Sequence, residues 1–148
     1  ACSQSRAPMK TEPQNPDIIE APYQFQHLLG FRMVDWTAEK AVIHLPLRDE
    51  LTNRYGIPHG GVHAAMLDTV MGYSGCYTGD PDRIRHAMTL TLNVNYLSRP
   101  KGALLIAEGR KVGGGKRTFF AEGTIADETG EKIATASGAF RYRSDSIG

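Results

Sequence analysis

The chain has 148 residues, of which 41% are hydrophobic and 22% charged, and its formal net charge is +1. That length suits one domain with a sizeable core, and the composition is ordinary for a soluble globular protein. The near-neutral balance gives no pull toward nucleic acid, and no apolar run of about 18 residues marks a membrane-spanning helix.

Two cysteines, Cys2 and Cys76, offer no disulfide framework. This fits a reducing compartment and an expected cytoplasmic location. Residues 1–16 are polar, carry Pro8, Pro13 and Pro16, and lack the apolar stretch of a signal peptide. They are read as a disordered tail ahead of a single domain over residues 17–148. Met9-Lys10 reads as a native start behind upstream residues; a processed lipoprotein end at Ala1-Cys2 is the alternative.

Residues 21–29 form a short helix or apolar turn that Gly30 stops. Residues 31–36 and 40–47 read as strands. In the second, Ala41, Ile43 and Leu45 alternate with Val42, His44 and Pro46. A polar loop with Gly56 and Pro58 then leads through Gly60-Gly61 into a long helix. Small or apolar residues recur at Val62, Ala65, Met66, Thr69, Tyr73 and Cys76, which is helical spacing. The opposite side is hardly more polar, so the helix is expected to be buried. One acid, Asp68, interrupts it. Burying a carboxylate is costly without a partner, so Asp68 needs a reason to be there.

From His86 the period changes to two. Met88, Leu90, Leu92, Val94 and Tyr96 are expected on one face, and Thr89, Thr91, Asn93 and Asn95 on the other. Strands follow over residues 103–112, 118–126 and 132–142, with turns at Gly113-Gly114-Gly115 and at Asp127-Glu128-Thr129-Gly130. Ala134, Ala136 and Gly138 keep one face of the last strand small, so that a helix can approach the sheet. Gly109 and Gly123 do the same or mark bends. The economical architecture is a curved antiparallel sheet wrapped around one helix, with the uncovered face and edges meeting solvent or a second copy.

The pattern N-x-x-G-x-x-H-G-G-x-x-x-x-x-x-D, carried by Asn53, Gly56, His59, Gly60, Gly61 and Asp68, resembles the hotdog-fold thioesterases of the phenylacetic-acid-degradation type. The resemblance spans about residues 26–142 and includes the T-L-T-L-N-V-N-Y-L strand from Thr89. It implies an α+β hotdog fold, with about six antiparallel strands around one long central helix. It also implies hydrolysis of an acyl-coenzyme A thioester to a free acid and coenzyme A, with the coenzyme as part of the substrate and no separate cofactor. By the same resemblance Asp68 is the catalytic base or nucleophile, the Gly60 backbone polarises the carbonyl with help from Asn53, and Thr89 positions water. Sites shared across a homodimer, or within a dimer of dimers, are implied as well.

The residues supply chemical reasons of their own. Free N–H groups at a helix N-terminus favour developing negative charge, and glycine lets a substrate approach them. Gly60 or Gly61 meets both needs. Asp68 lies roughly 12 Å further along the helix axis, too far to act with Gly60 of its own chain unless a two-fold partner supplies the second group. His59 is assigned a structural or hydrogen-bonding part, and His63 is read as a satisfied core histidine. Gly115, Lys116 and Arg117, a glycine turn followed by two cations, are candidates to hold the coenzyme phosphates, as is Arg54. His59 and His63 have the spacing of a zinc helix but lack its acid, so no metal is assigned. Two other functions stay open at this point: an enoyl-CoA hydratase or dehydratase on the same fold, and a non-catalytic acyl-CoA-binding module.

Overall fold

A computed structural model describes residues 20–144. In chain order it contains α1 (Gln24–Leu29), β1 (Arg32–Thr37), β2 (Lys40–Pro46), a short 3-10 turn (Asp49–Leu51), α2 (Gly60–Ser74), β3 (Ala87–Tyr96), β4 (Leu104–Gly114), β5 (Thr118–Asp127) and β6 (Lys132–Tyr142). The six strands form one antiparallel sheet in the order β1-β2-β4-β5-β6-β3. This is the hotdog arrangement: one face of the curved sheet wraps α2. The tail over residues 1–16 lies outside the described residues.

The helix packs closely because the sheet is nearly bare beneath it. Ala41, Gly109, Gly123 and Ala136 stand side by side across β2, β4, β5 and β6. A Cβ added at Gly109 would lie 2.3 Å from the Val70 carbonyl oxygen, so the helix backbone itself rests on the sheet there. Met66, Leu67, Val70 and Met71 fill the space around this row together with Ile43, Leu105, Ile125 and Phe140. Two side chains tie down the C-terminal end of α2: the Trp36 indole N–H donates to the Tyr73 carbonyl at 2.9 Å, and the Tyr142 hydroxyl donates to the Gly75 carbonyl at 2.8 Å.

Three expectations change. First, α2 is not buried all round. Ala64, Ala65, Asp68, Thr69, Gly72 and Tyr73 form a half-exposed stripe along one side of the helix. The sequence hides this stripe because its residues are mostly small or weakly polar. Second, β4 continues to Gly114, so Gly113 and Gly114 belong to a strand and the turn is confined to residues 115–117. Third, a β-bulge interrupts β3. Thr89 pairs with Phe140 and Thr91 with Ala139, which leaves Leu90 as the extra residue. The alternation inverts across it: Thr89 shares the helix-facing side with Leu92, Val94 and Tyr96, and Met88 turns outward beside Arg141. The Thr91 hydroxyl accepts the Ala139 N–H at 3.2 Å and steadies the bulge.

Candidate functional site

The loop before α2 is braced by its own backbone. Thr52 bridges Pro58, the Asn53 N–H donates to the Ile57 carbonyl, and Gly56 turns the chain with φ +74°. The Asn53 side-chain oxygen accepts the Tyr55 N–H at 2.9 Å, so in this chain it holds the turn. Arg54 is exposed on the same loop. His59 caps α2: its Nδ1 accepts the Gly61 N–H at 2.8 Å. That bond uses the Gly61 donor. The Gly60 N–H has no hydrogen-bond partner among the described residues, which leaves it able to receive a substrate oxygen. Tyr96 lies against Gly60, with its hydroxyl donating to the Gly60 carbonyl at 2.7 Å; a Cβ at Gly60 would sit 3.2 Å from that ring.

Two turns further on, the Thr89 hydroxyl donates to Asp68 Oδ1 at 2.6 Å. The bulge makes this bond possible, because an unbroken strand would turn Thr89 away from the helix. Asp68 and Thr89 line an open cleft of about 220 Å³ with Tyr23, Tyr73, Arg85 and His86 among its other walls. Burial raises the pKa of the Tyr73 hydroxyl well above its ordinary value, so it is a neutral donor or acceptor at physiological pH. Burial likewise pushes the Cys76 thiol at the base of the cleft up to about 12, which makes it a poor nucleophile.

Gly60 lines a different cleft, of about 330 Å³, with Ile57, Pro58, His63, Tyr96 and Arg99. The structure therefore brings Asp68 and Thr89 together and leaves Gly60 apart from them. Lys116 and Arg117 are exposed at the β4–β5 turn, while the Gly115 N–H is already bonded to the Thr118 carbonyl. This turn lies at the C-terminal end of α2, where Phe119 abuts Gly75. Arg54 lies at the other end, roughly 20 Å away by helix length.

His63 differs from its reading as a satisfied core histidine. It is buried, yet neither ring nitrogen has a hydrogen-bond partner. Burial lowers its pKa and favours the neutral ring; the nearby His59 carbonyl opposes this without reaching hydrogen-bond geometry. Sequence reasoning also missed Tyr96 as the cover of Gly60. The two are 36 residues apart, and no local signal links them. Among the described residues, no three His, Cys, Asp or Glu side chains converge as a metal site, and no helix is long and apolar enough to cross a membrane.

Comparison with known proteins bears on the family and the fold. The sequence model of the thioesterase superfamily matches residues 55–134. The 1,4-dihydroxy-2-naphthoyl-CoA hydrolase of Listeria monocytogenes is 29% identical over 112 residues, covering 76% of this chain and 89% of that protein. Among solved structures, the PaaI protein from the E. coli phenylacetic acid degradation operon superposes with a TM-score of 0.73 at 18% identity, covering 84% of this chain and 87% of that one. A Streptococcus mutans protein bound to acetyl-CoA gives a TM-score of 0.66 at 24% identity, covering 76% and 88%. At such identities these two likenesses speak for the fold alone.

Proposed function

Since the chain belongs to the thioesterase superfamily, we propose that it hydrolyses an acyl-coenzyme A thioester to a carboxylic acid and coenzyme A. The observation that carries this reading is the Asp68 carboxylate, oriented by Thr89 at 2.6 Å on the wall of an open cleft. A carboxylate held this way can take a proton from water as the water oxygen attacks the thioester carbonyl, or attack that carbon itself to form a mixed anhydride that water then hydrolyses to the free acid. The free Gly60 N–H at the positive end of α2 then receives the charge that develops on the carbonyl oxygen, and the coenzyme leaves as its thiolate. The coenzyme A thioester is chosen because the Listeria relative is named as a hydrolase of one and the Streptococcus structure contains acetyl-CoA. The enzyme is assigned to the cytoplasm, a reducing setting that suits the free, buried Cys76.

A homodimer joins the two separated halves. Strand β3 forms an outer edge of the sheet. Thr89 near its start meets Asp68, and Tyr96 at its end meets Gly60. Antiparallel pairing of two β3 edges about a two-fold axis sets the end of one strand against the start of the other. Gly60 of one copy then approaches Asp68 of the second. The half-exposed stripe on α2 and the exposed apolar residues Leu90, Leu92 and Tyr96 support this pairing, since a lone chain would leave them in water. The same arrangement brings Arg54 of one copy to the side of Lys116 and Arg117 of the other, where they can hold the coenzyme phosphates.

Thiol release from a panel of short, long and aromatic acyl-CoAs tests the reaction. Asp68→Asn is expected to lower kcat by about two to four orders of magnitude while substrate affinity changes little. Hydrolysis by that variant at the wild-type rate would overturn the assignment. Loss of the conjugated enoyl absorbance on an enoyl-CoA, with no thiol released, would point to a hydratase instead.

A further inference from the structure

The cleft at the N-terminal end of α2 holds an unanswered polar group. His63 is 5% exposed and lines that cleft, and both of its ring nitrogens lack a partner. A neutral imidazole offers one donor and one acceptor, and leaving a buried polar group unsatisfied is costly. The neighbouring wall is the Tyr96 ring, whose centroid is 5.9 Å from the imidazole in an edge-to-face arrangement. Tyr96 is held at this wall by its hydroxyl bond to the Gly60 carbonyl. The rest of the cleft is largely apolar, with Ile57, Pro58, Leu97 and Pro100.

Position along the helix narrows what the imidazole meets. His63 follows Gly60 by three residues, and helical side chains lean back toward the N-terminus. The ring therefore lies near the level of the Gly60 N–H, one or two atoms into the acyl group from a carbonyl bound there. A hydroxyl is the group that both donates and accepts, which matches a neutral imidazole.

We propose that this cleft is the acyl subsite and that His63 is its specificity residue, hydrogen-bonding a hydroxyl carried by the acyl group close to the thioester carbon. The inference rests on the hydrolase reading for its substrate class. It concerns binding, and His63 takes no part in bond breaking.

The test compares two pairs of substrates, 2-hydroxybenzoyl-CoA with benzoyl-CoA and 3-hydroxybutanoyl-CoA with butanoyl-CoA. Wild type is expected to favour the hydroxylated member of at least one pair in kcat/KM, on the order of tenfold to a hundredfold. His63→Leu is expected to bring that ratio to near one, and His63→Asn, which keeps a donor and an acceptor, to restore part of it. Equal rates within both wild-type pairs, or a ratio unchanged in His63→Leu, would overturn the proposal. Binding of non-hydrolysable thioether analogues of the same pairs, followed through the imidazole nitrogen shifts of the wild-type protein, decides the matter if the leucine variant fails to fold. It also separates the two readings. Absence of all thiol release sinks the hydrolase, whereas analogue binding that ignores the hydroxyl and leaves the imidazole signals unmoved sinks the subsite.

Discussion

Asp68 and Thr89 act as a unit, because the hydroxyl that donates to Oδ1 fixes the direction of the carboxylate. Thr89→Ala is expected to lower kcat by about tenfold, and adding it to Asp68→Asn to cost little more than Asp68→Asn alone; thiol-release kinetics on the three variants close the cycle. Asp68 stood out in the sequence because a lone acid in an apolar helix calls for an explanation. Its partner did not follow from alternation. A period-two reading assumes unbroken register, and the residue added at Leu90 reverses every side chain before it. His63 was misread for a related reason, since periodicity shows that a residue is inside but not whether its polar atoms find partners.

Among the elements, the packing of α2 on the sheet depends on the absence of side chains. At Gly109 the obstacle to a methyl group is helix backbone, which cannot rotate aside. Gly109→Ala is therefore expected to destabilise the fold by about 1–3 kcal/mol or more, read from denaturant midpoints. The glycines of β4 and β5 were visible in the sequence as places where a helix could approach, and α2 does approach both: Gly109 meets its backbone and Gly123 its Leu67 and Met71 side chains. A second element-level feature is Asp127, 3% exposed at the β5–β6 turn. It accepts from the Thr129 hydroxyl and N–H, the Glu131 N–H, and the Lys101 and Gly102 N–H groups. The Thr129 hydroxyl foremost, then the backbone donors, outweigh the desolvation and hold its pKa well below the usual range. Because the folded value is depressed, its stabilisation is complete above the ordinary carboxylate pKa of about 4 and is lost as pH falls through the folded value. Melting temperature measured across acidic pH is expected to fall for the wild type. Asp127→Asn should start lower at neutral pH and change less on acidification.

At the scale of the molecule, the central helix and all six strand positions were legible to within a residue or two, because long stretches of one period outvote local ambiguity, whereas the order of the strands, which sets β3 beside β6 at an edge, was not. The exposed side of α2 was not legible, since small residues give similar patterns whether they face a core or a partner. That ambiguity has content of its own: such a stripe suits a second chain better than it suits water. A charge on the open edge should break the proposed pairing. Leu92→Lys is expected to shift the protein toward monomer in sedimentation velocity and to lose hydrolysis in parallel, while far-UV circular dichroism stays unchanged. A fully active monomer would refute the shared site.

The chain's single tryptophan supplies its own optical gauge. Trp36 donates to the Tyr73 carbonyl near the end of α2, and its indole stands edge-on to Tyr73 and Tyr77 with centroids 5.2 and 5.5 Å away. Its emission therefore reports the seating of the helix terminus on β1, with no label added and no second indole to confuse the signal. Lifting that end of the helix exposes the indole to water and shifts the emission to the red, whether the cause is heat, acid or an acyl chain entering between helix and sheet.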